Sequence, residues 1–149
     1  EGLASAKIAS ADGRFLFVAF RYLPIIRTYS FDGTLLGELK WRTGISEKIA
    51  PLNEKMFARR DRGEQTPLAL IINAICANED GLYVATSATS RLEIVLIDRM
   101  GKVLEYYYKN LSSALACSGL IVRKTDVGKE FHVLRLYPDH AVEVFAPTK

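Results

Sequence analysis

The chain has 149 residues, 49% of them hydrophobic and 25% charged, with a formal net charge of +3. That balance excludes wholesale disorder, and the length suffices for one unit with a real core. No apolar run reaches the ~20 residues a membrane-spanning helix needs, and the basic residues do not gather as a nucleic-acid interface requires, so neither partner is expected.

In chain order, Ala6–Ser10 and Phe15–Phe20 read as strands joined at Asp12-Gly13. Ile25–Phe31 and Thr34–Lys40 follow, joined at Asp32-Gly33. β-Branched and aromatic residues supply the strands, and glycine after aspartate accepts the positive φ of a tight turn. After an interruption, Leu70–Ala77, Leu82–Ser87, Leu92–Asp98 and Val103–Tyr108 repeat the scheme, with turns at Asp80-Gly81 and Asp98–Gly101. A third set is expected at Ala114–Cys117, Leu120–Thr125, Glu130–Tyr137 and Ala141–Phe145, with turns at Ser118-Gly119 and Pro138-Asp139.

These sets form a repeat. Gly13 to Gly33 and Gly81 to Gly101 are both 20 residues, and Gly119 lies 38 residues after Gly81. Four short strands every ~40 residues is the mark of a β-propeller blade. Gly81-Leu82-Tyr83-Val84-Ala85 and Asp98-Arg99-Met100-Gly101-Lys102-Val103 resemble the NHL and TolB-like six-bladed propeller repeats. The fold expected is all-β: a partial β-propeller of about three four-stranded antiparallel blades, at 3–42, 70–110 and 111–149. Another chain or a missing segment then completes a six-bladed ring, because three blades leave apolar faces bare. A second copy of the chain, or the remaining blades of a longer chain, is the expected partner.

Residues 43–69 interrupt the repeat as a charged insertion. Ser46–Ala50 and Leu52–Arg60 have helical character, with Ile49, Leu52 and Met56 at helical spacing. Long insertions of this kind often carry function. Arg59, Arg60 and Arg62 are candidate partner contacts here, together with Arg27 and Arg91 at the third strands of two blades. Arginine binds anionic groups through paired hydrogen bonds.

Catalytic signals are sparse. His132 and His140 are the only histidines, and no Gly-x-Ser-x-Gly, His-Glu-x-x-His or phosphate-loop motif occurs, so no catalytic residue is assigned. Cys76 and Cys117 match no zinc spacing and form either one disulfide or, more in keeping with the strict geometry of a bridge, two thiols. The expected function is a non-catalytic binding or scaffold module that holds a protein, peptide or small ligand through its loops and channel mouth, without a cofactor. The resemblance also implies a second reading, a lactonase-like hydrolase or lyase with calcium in its channel. Asn73, Asn78 and Glu79 would be the oxygen ligands, although Asn78-Glu79-Asp80 also has turn chemistry. Analogy and a first residue other than Met point to a secreted or periplasmic setting.

Overall fold

A computed structural model of the chain describes residues 6–11, 13–41, 44–88, 91–111, 117–136 and 139–147. Among these, eleven strands and one helix form three antiparallel sheets. The first sheet is the meander β1 (Ala6–Ala11), β2 (Phe15–Phe20), β3 (Ile25–Ser30) and β4 (Leu35–Lys40). Helix α1 (Gly44–Arg60) leads to the second sheet, β5 (Ala74–Asn78), β6 (Gly81–Ala88), β7 (Arg91–Ile97) and β8 (Val103–Asn110). The third sheet has three strands, β9 (Cys117–Thr125), β10 (Gly128–Arg135) and β11 (Ala141–Phe145). The first strands lie side by side, β1 against β5 and β5 against β9.

The first two sheets repeat in detail. Gly33 and Gly101 both have φ 88 and both donate to the carbonyl three residues back, Ser30 at 3.0 Å and Asp98 at 3.1 Å. Only glycine takes that φ without strain. An aspartate locks each turn: Asp32 accepts from the Thr34 N–H at 3.0 Å, and Asp98 accepts from Lys102 at 2.8 Å. Both sheets have their register irregularity at matching places, Thr28/Tyr29 and Leu96/Ile97.

The third sheet is phased differently from expectation. Gly119 lies inside β9, opposite Leu134, and makes no hairpin turn. The register shifts there because Arg135 pairs with Cys117, so Ser118 is an extra residue, a bulge. The turn comes at Asp126-Val127, and Gly128 (φ 144) matches Gly81 (φ 140). β9 therefore corresponds to β5, the first strand of the second sheet, and the third sheet has three strands among the described residues instead of four. Ala114–Ala116 of the expected first strand and Tyr137-Pro138 of the expected turn lie outside the described residues.

The core has two parts, one on each face of the second sheet. Leu82, Val84, Val95 and Ile97 pack toward the first sheet, on Phe17, Ala19, Ile26 and Trp41. Tyr83, Ala85, Ile94 and Leu96 alternate with them and pack toward the third sheet, on Leu120, Phe131 and Val133. This explains why β6 and β7 read as continuous apolar runs: both faces are covered. Phe131 is fully buried, with Tyr107 at 4.9 Å, Phe145 at 5.6 Å and Tyr83 edge-on at 6.1 Å between ring centroids.

The insertion is mainly helical. α1 runs without interruption through Pro51, joining the two stretches with helical character into one helix of 17 residues. An interior proline removes a backbone hydrogen bond and costs roughly 3 kcal/mol, so tertiary anchoring rather than propensity holds this helix. Its inward side is Ile45, Ser46, Ala50 and Asn53, whereas Leu52, expected on an inward stripe, is 56% exposed. Strand β5 begins at Ala74, later than expected, because the Ile71 and Ile72 N–H groups donate to the Arg21 carbonyl at 2.7 and 3.0 Å. No helix among the described residues is long and apolar enough to cross a membrane.

Candidate functional site

The sheets have two distinct ends. One carries the aspartate–glycine turns. The other carries the β2–β3 turn, the end of β6, the start of β7, and α1 lying against them.

Buried polar contacts fix α1 in place. The Asn53 amide is 1% exposed and meets three backbone groups. Its nitrogen donates to the Tyr22 carbonyl at 2.8 Å and the Ala69 carbonyl at 2.7 Å, and its oxygen accepts from the Ala69 N–H at 3.0 Å. At the helix start, the buried Glu93 carboxylate accepts from the Ile45 N–H at 2.8 Å. An anion suits that position because the first amides of a helix have no partner within it and carry partial positive charge. The far end is closed by Arg60, which donates twice to the Thr66 carbonyl at 3.0 and 2.6 Å, while the Thr66 hydroxyl donates to the Met56 carbonyl at 3.1 Å. Glu93, Asn53 and Thr66 carry no motif signal. Only their polarity within apolar surroundings hints at a role.

The outward side of α1 is solvent-exposed. Lys48, Leu52, Lys55 and Arg59 lie on one stripe at spacings of four, three and four residues, and all are exposed.

The five candidate arginines do not converge. Arg59 pairs with Glu64 at 2.6 Å, Arg62 meets Glu64 at 3.3 Å, and both flank the helix end with Arg60. Arg27 lies on the outer face of the first sheet, 2.8 Å from Glu38 and over the Phe20 ring at 5.1 Å. Arg91 lies near the helix start, 3.1 Å from Glu93 and 3.1 Å from the Tyr106 hydroxyl, with Tyr108 beneath its guanidinium at 4.3 Å. Arg91 thus extends the α1 end, and Arg27 stands apart from it.

The three candidate calcium ligands do not gather either. Asn73 precedes β5 and Asn78 ends it, about 16 Å apart at the ordinary strand rise. Each also has a local task. The Asn73 oxygen accepts from the Ser87 N–H at 2.9 Å, Asn78 accepts from the Asp80 N–H at 2.9 Å, and Glu79 pairs with Lys124 at 2.6 Å. Among the described residues, no three His, Cys, Asp or Glu side chains lie close enough to hold a metal.

A tight ionic cluster occupies the turn end. Asp80 lies 2.9 Å from Lys124 and 3.7 Å from Lys129, and accepts from the Tyr83 hydroxyl at 3.1 Å. The bond from Lys124 holds its carboxyl below the usual aspartate range, with Tyr83 assisting against the opposing effect of burial. Lys129 continues to Glu105 at 2.9 Å, so the cluster ties the second sheet to the third. At the same end, Phe15, Ile26, Leu39, Leu82, Ile97 and Met100 help line a mostly apolar cavity of about 360 Å3 between the first and second sheets. Cys76 and Cys117 are free thiols of the other core, between the second and third sheets, and burial pushes the Cys117 thiol up to about 11.

No protein-family model and no curated protein sequence matches this chain. The propeller resemblance therefore rests on the repeat itself.

Proposed function

We propose that the chain is a non-catalytic binding module of the β-propeller type, with α1 as its contact surface for a protein or peptide. The observation that carries this reading is the anchoring of α1. From within the helix Asn53 bonds the Tyr22 and Ala69 backbones, Glu93 of β7 receives its first amide, and the stripe Lys48, Leu52, Lys55 and Arg59 faces outward. A helix fixed in this way loses little conformational freedom when a partner binds. Lys48 and Lys55 on either side of Leu52 fit a partner segment with acidic residues flanking an apolar side chain, while Arg59 is already paired with Glu64. The side-by-side β1, β5 and β9, each at one edge of its sheet with β4 and β8 at the opposite edges of theirs, support the propeller part of the reading. The calcium hydrolase reading would need ligands other than Asn73, Asn78 and Glu79.

A peptide-display selection against the immobilised chain tests this, with the variant Leu52→Asp/Lys55→Glu as counter-target. Enriched peptides are expected to be acidic with an apolar anchor and to bind the parent at least tenfold more tightly than the variant. Peptides that bind both equally would overturn the reading.

A further inference from the structure

We infer that two copies of this chain close on each other, the outer face of the first sheet in one copy packing on the outer face of the third sheet in the other. The inference extends the propeller reading by naming what covers the two end faces.

The chain makes one kind of junction twice. In the first, Phe17, Ala19 and Ile26 of the first sheet meet Leu82, Val84 and Val95 of the second. In the second, Tyr83, Ala85 and Ile94 of the second sheet meet Leu120, Phe131 and Val133 of the third. Each junction joins the trailing face of one sheet to the leading face of the next, with the first strands of both sheets adjacent. The repeat makes the sheets equivalent, so the second sheet shows what each face is built to meet. Two faces are left over: the leading face of the first sheet and the trailing face of the third. They are the two halves of this same junction.

Both are apolar. On the first sheet, Ile8 and Leu35 are 68% and 52% exposed, with Leu16 and Val18 between or beside them. On the third, Ile121, Val142 and Val144 are 66%, 61% and 54% exposed and flank Leu134 and His132 in register. Soluble chains seldom leave such faces bare. Most charges on these faces have partners. Arg27 and Lys40 flank Glu38 at 2.8 and 3.7 Å, and Glu130 lies opposite Arg123 and 3.4 Å from His132. Covering the faces buries Arg27 and Arg123 with their carboxylates, while Lys40, 70% exposed at the end of the edge strand, can keep its ammonium in water. Two copies related by a two-fold axis satisfy both faces at once, because each supplies one of each kind and the contact closes.

Light scattering coupled to size exclusion tests this on the chain as it stands. The expected mass is twice 16.6 kDa. Ile8→Asp alone and Val144→Lys alone are each expected to elute as monomers, with far-ultraviolet circular dichroism like the parent. Mixing the two is expected to restore the dimer, because one junction remains intact and the other now opposes Asp to Lys. A parent that stays monomeric at 100 µM, a dimer indifferent to both variants, or an open-ended series of oligomers would each overturn the inference. A monomer that still binds the α1-selected peptides fails this inference alone, while a dimer that binds none fails only the binding reading.

Discussion

The Glu93 carboxylate, on a central strand of the second sheet, accepts the Ile45 N–H at the start of α1 at 2.8 Å. Gly44 makes the contact possible. Its φ is +49, and a Cβ there would occupy the space of the Glu93 carboxylate. Gly44→Ala and Glu93→Ala should each cost about 1–3 kcal/mol, the first by displacing the carboxylate and straining the backbone, the second by leaving a buried amide unpaired. Because both remove the same bond, the double variant should cost at least ~1 kcal/mol less than the sum of the singles. Urea denaturation of the four chains measures this, and simple additivity would show that the two residues act independently.

Asn53 offers a sharper test of how α1 is held. Asn53→Asp preserves shape and keeps an oxygen for the Ala69 N–H, but it places oxygen against the Tyr22 and Ala69 carbonyls. The loss should be about 2–4 kcal/mol, at least as large as for Asn53→Ala, since an unpaired buried charge costs more than a void. Hydrogen exchange should quicken in α1 before it does in β6 and β7. Uniform quickening would mean that the helix is an inseparable part of the core.

The ionic cluster around Asp80 predicts an acid response. Its carboxyl titrates below the ordinary aspartate value, chiefly because of the bond from Lys124. A depressed folded value stabilises the fold above the unfolded pKa near ~3.9 and loses that contribution as pH falls through the folded value. The stability gap between the parent and Asp80→Asn should therefore be flat from about pH 5 to 8 and close below about pH 4. It should stay near ~1 kcal/mol and shrink in molar salt, because Lys124 is half-exposed. A gap that persists at pH 2 would assign the effect to packing.

Much of this fold was legible because its signals are local. Asp32-Gly33 and Asp98–Gly101 encode turns within five residues, and the alternation around Tyr83 and Val84 reports two covered faces. The third sheet was misphased because Gly119 mimics a turn glycine. Only pairing with β10, distant in sequence, shows that it adjoins a bulge. The inward side of α1 was legible at Ile49, which packs on the core, but not at Ser46 and Asn53, because they are polar. Their burial depends on Tyr22 and Ala69, partners that no periodicity reveals. Arg27 and Arg91 illustrate the same limit: composition marks them as anion binders, but neighbouring Glu38 and Glu93 already engage them.

Cys117 carries an alkaline counterpart to the Asp80 prediction. Burial raises its thiol to about 11, against a weaker lowering effect from the Gly119 backbone. A raised folded value means the native state keeps a proton that the unfolded chain releases above ~8.5. The contribution is complete below that pH and is lost as pH rises toward 11. Stability should therefore decline between about pH 8.5 and 11, and Cys117→Ala should flatten that part of the profile while lowering stability at neutral pH through the small void it leaves. The same burial sets reactivity, since the thiolate is the nucleophile. At pH 8, iodoacetamide should modify the half-buried Cys76 first and reach Cys117 only through unfolding, so that peptide mass mapping shows the two rates converging in 6 M guanidinium. Equal rates in the native chain would mean that the β9 end of the core opens to solvent, and the alkaline decline would then have to come from another group.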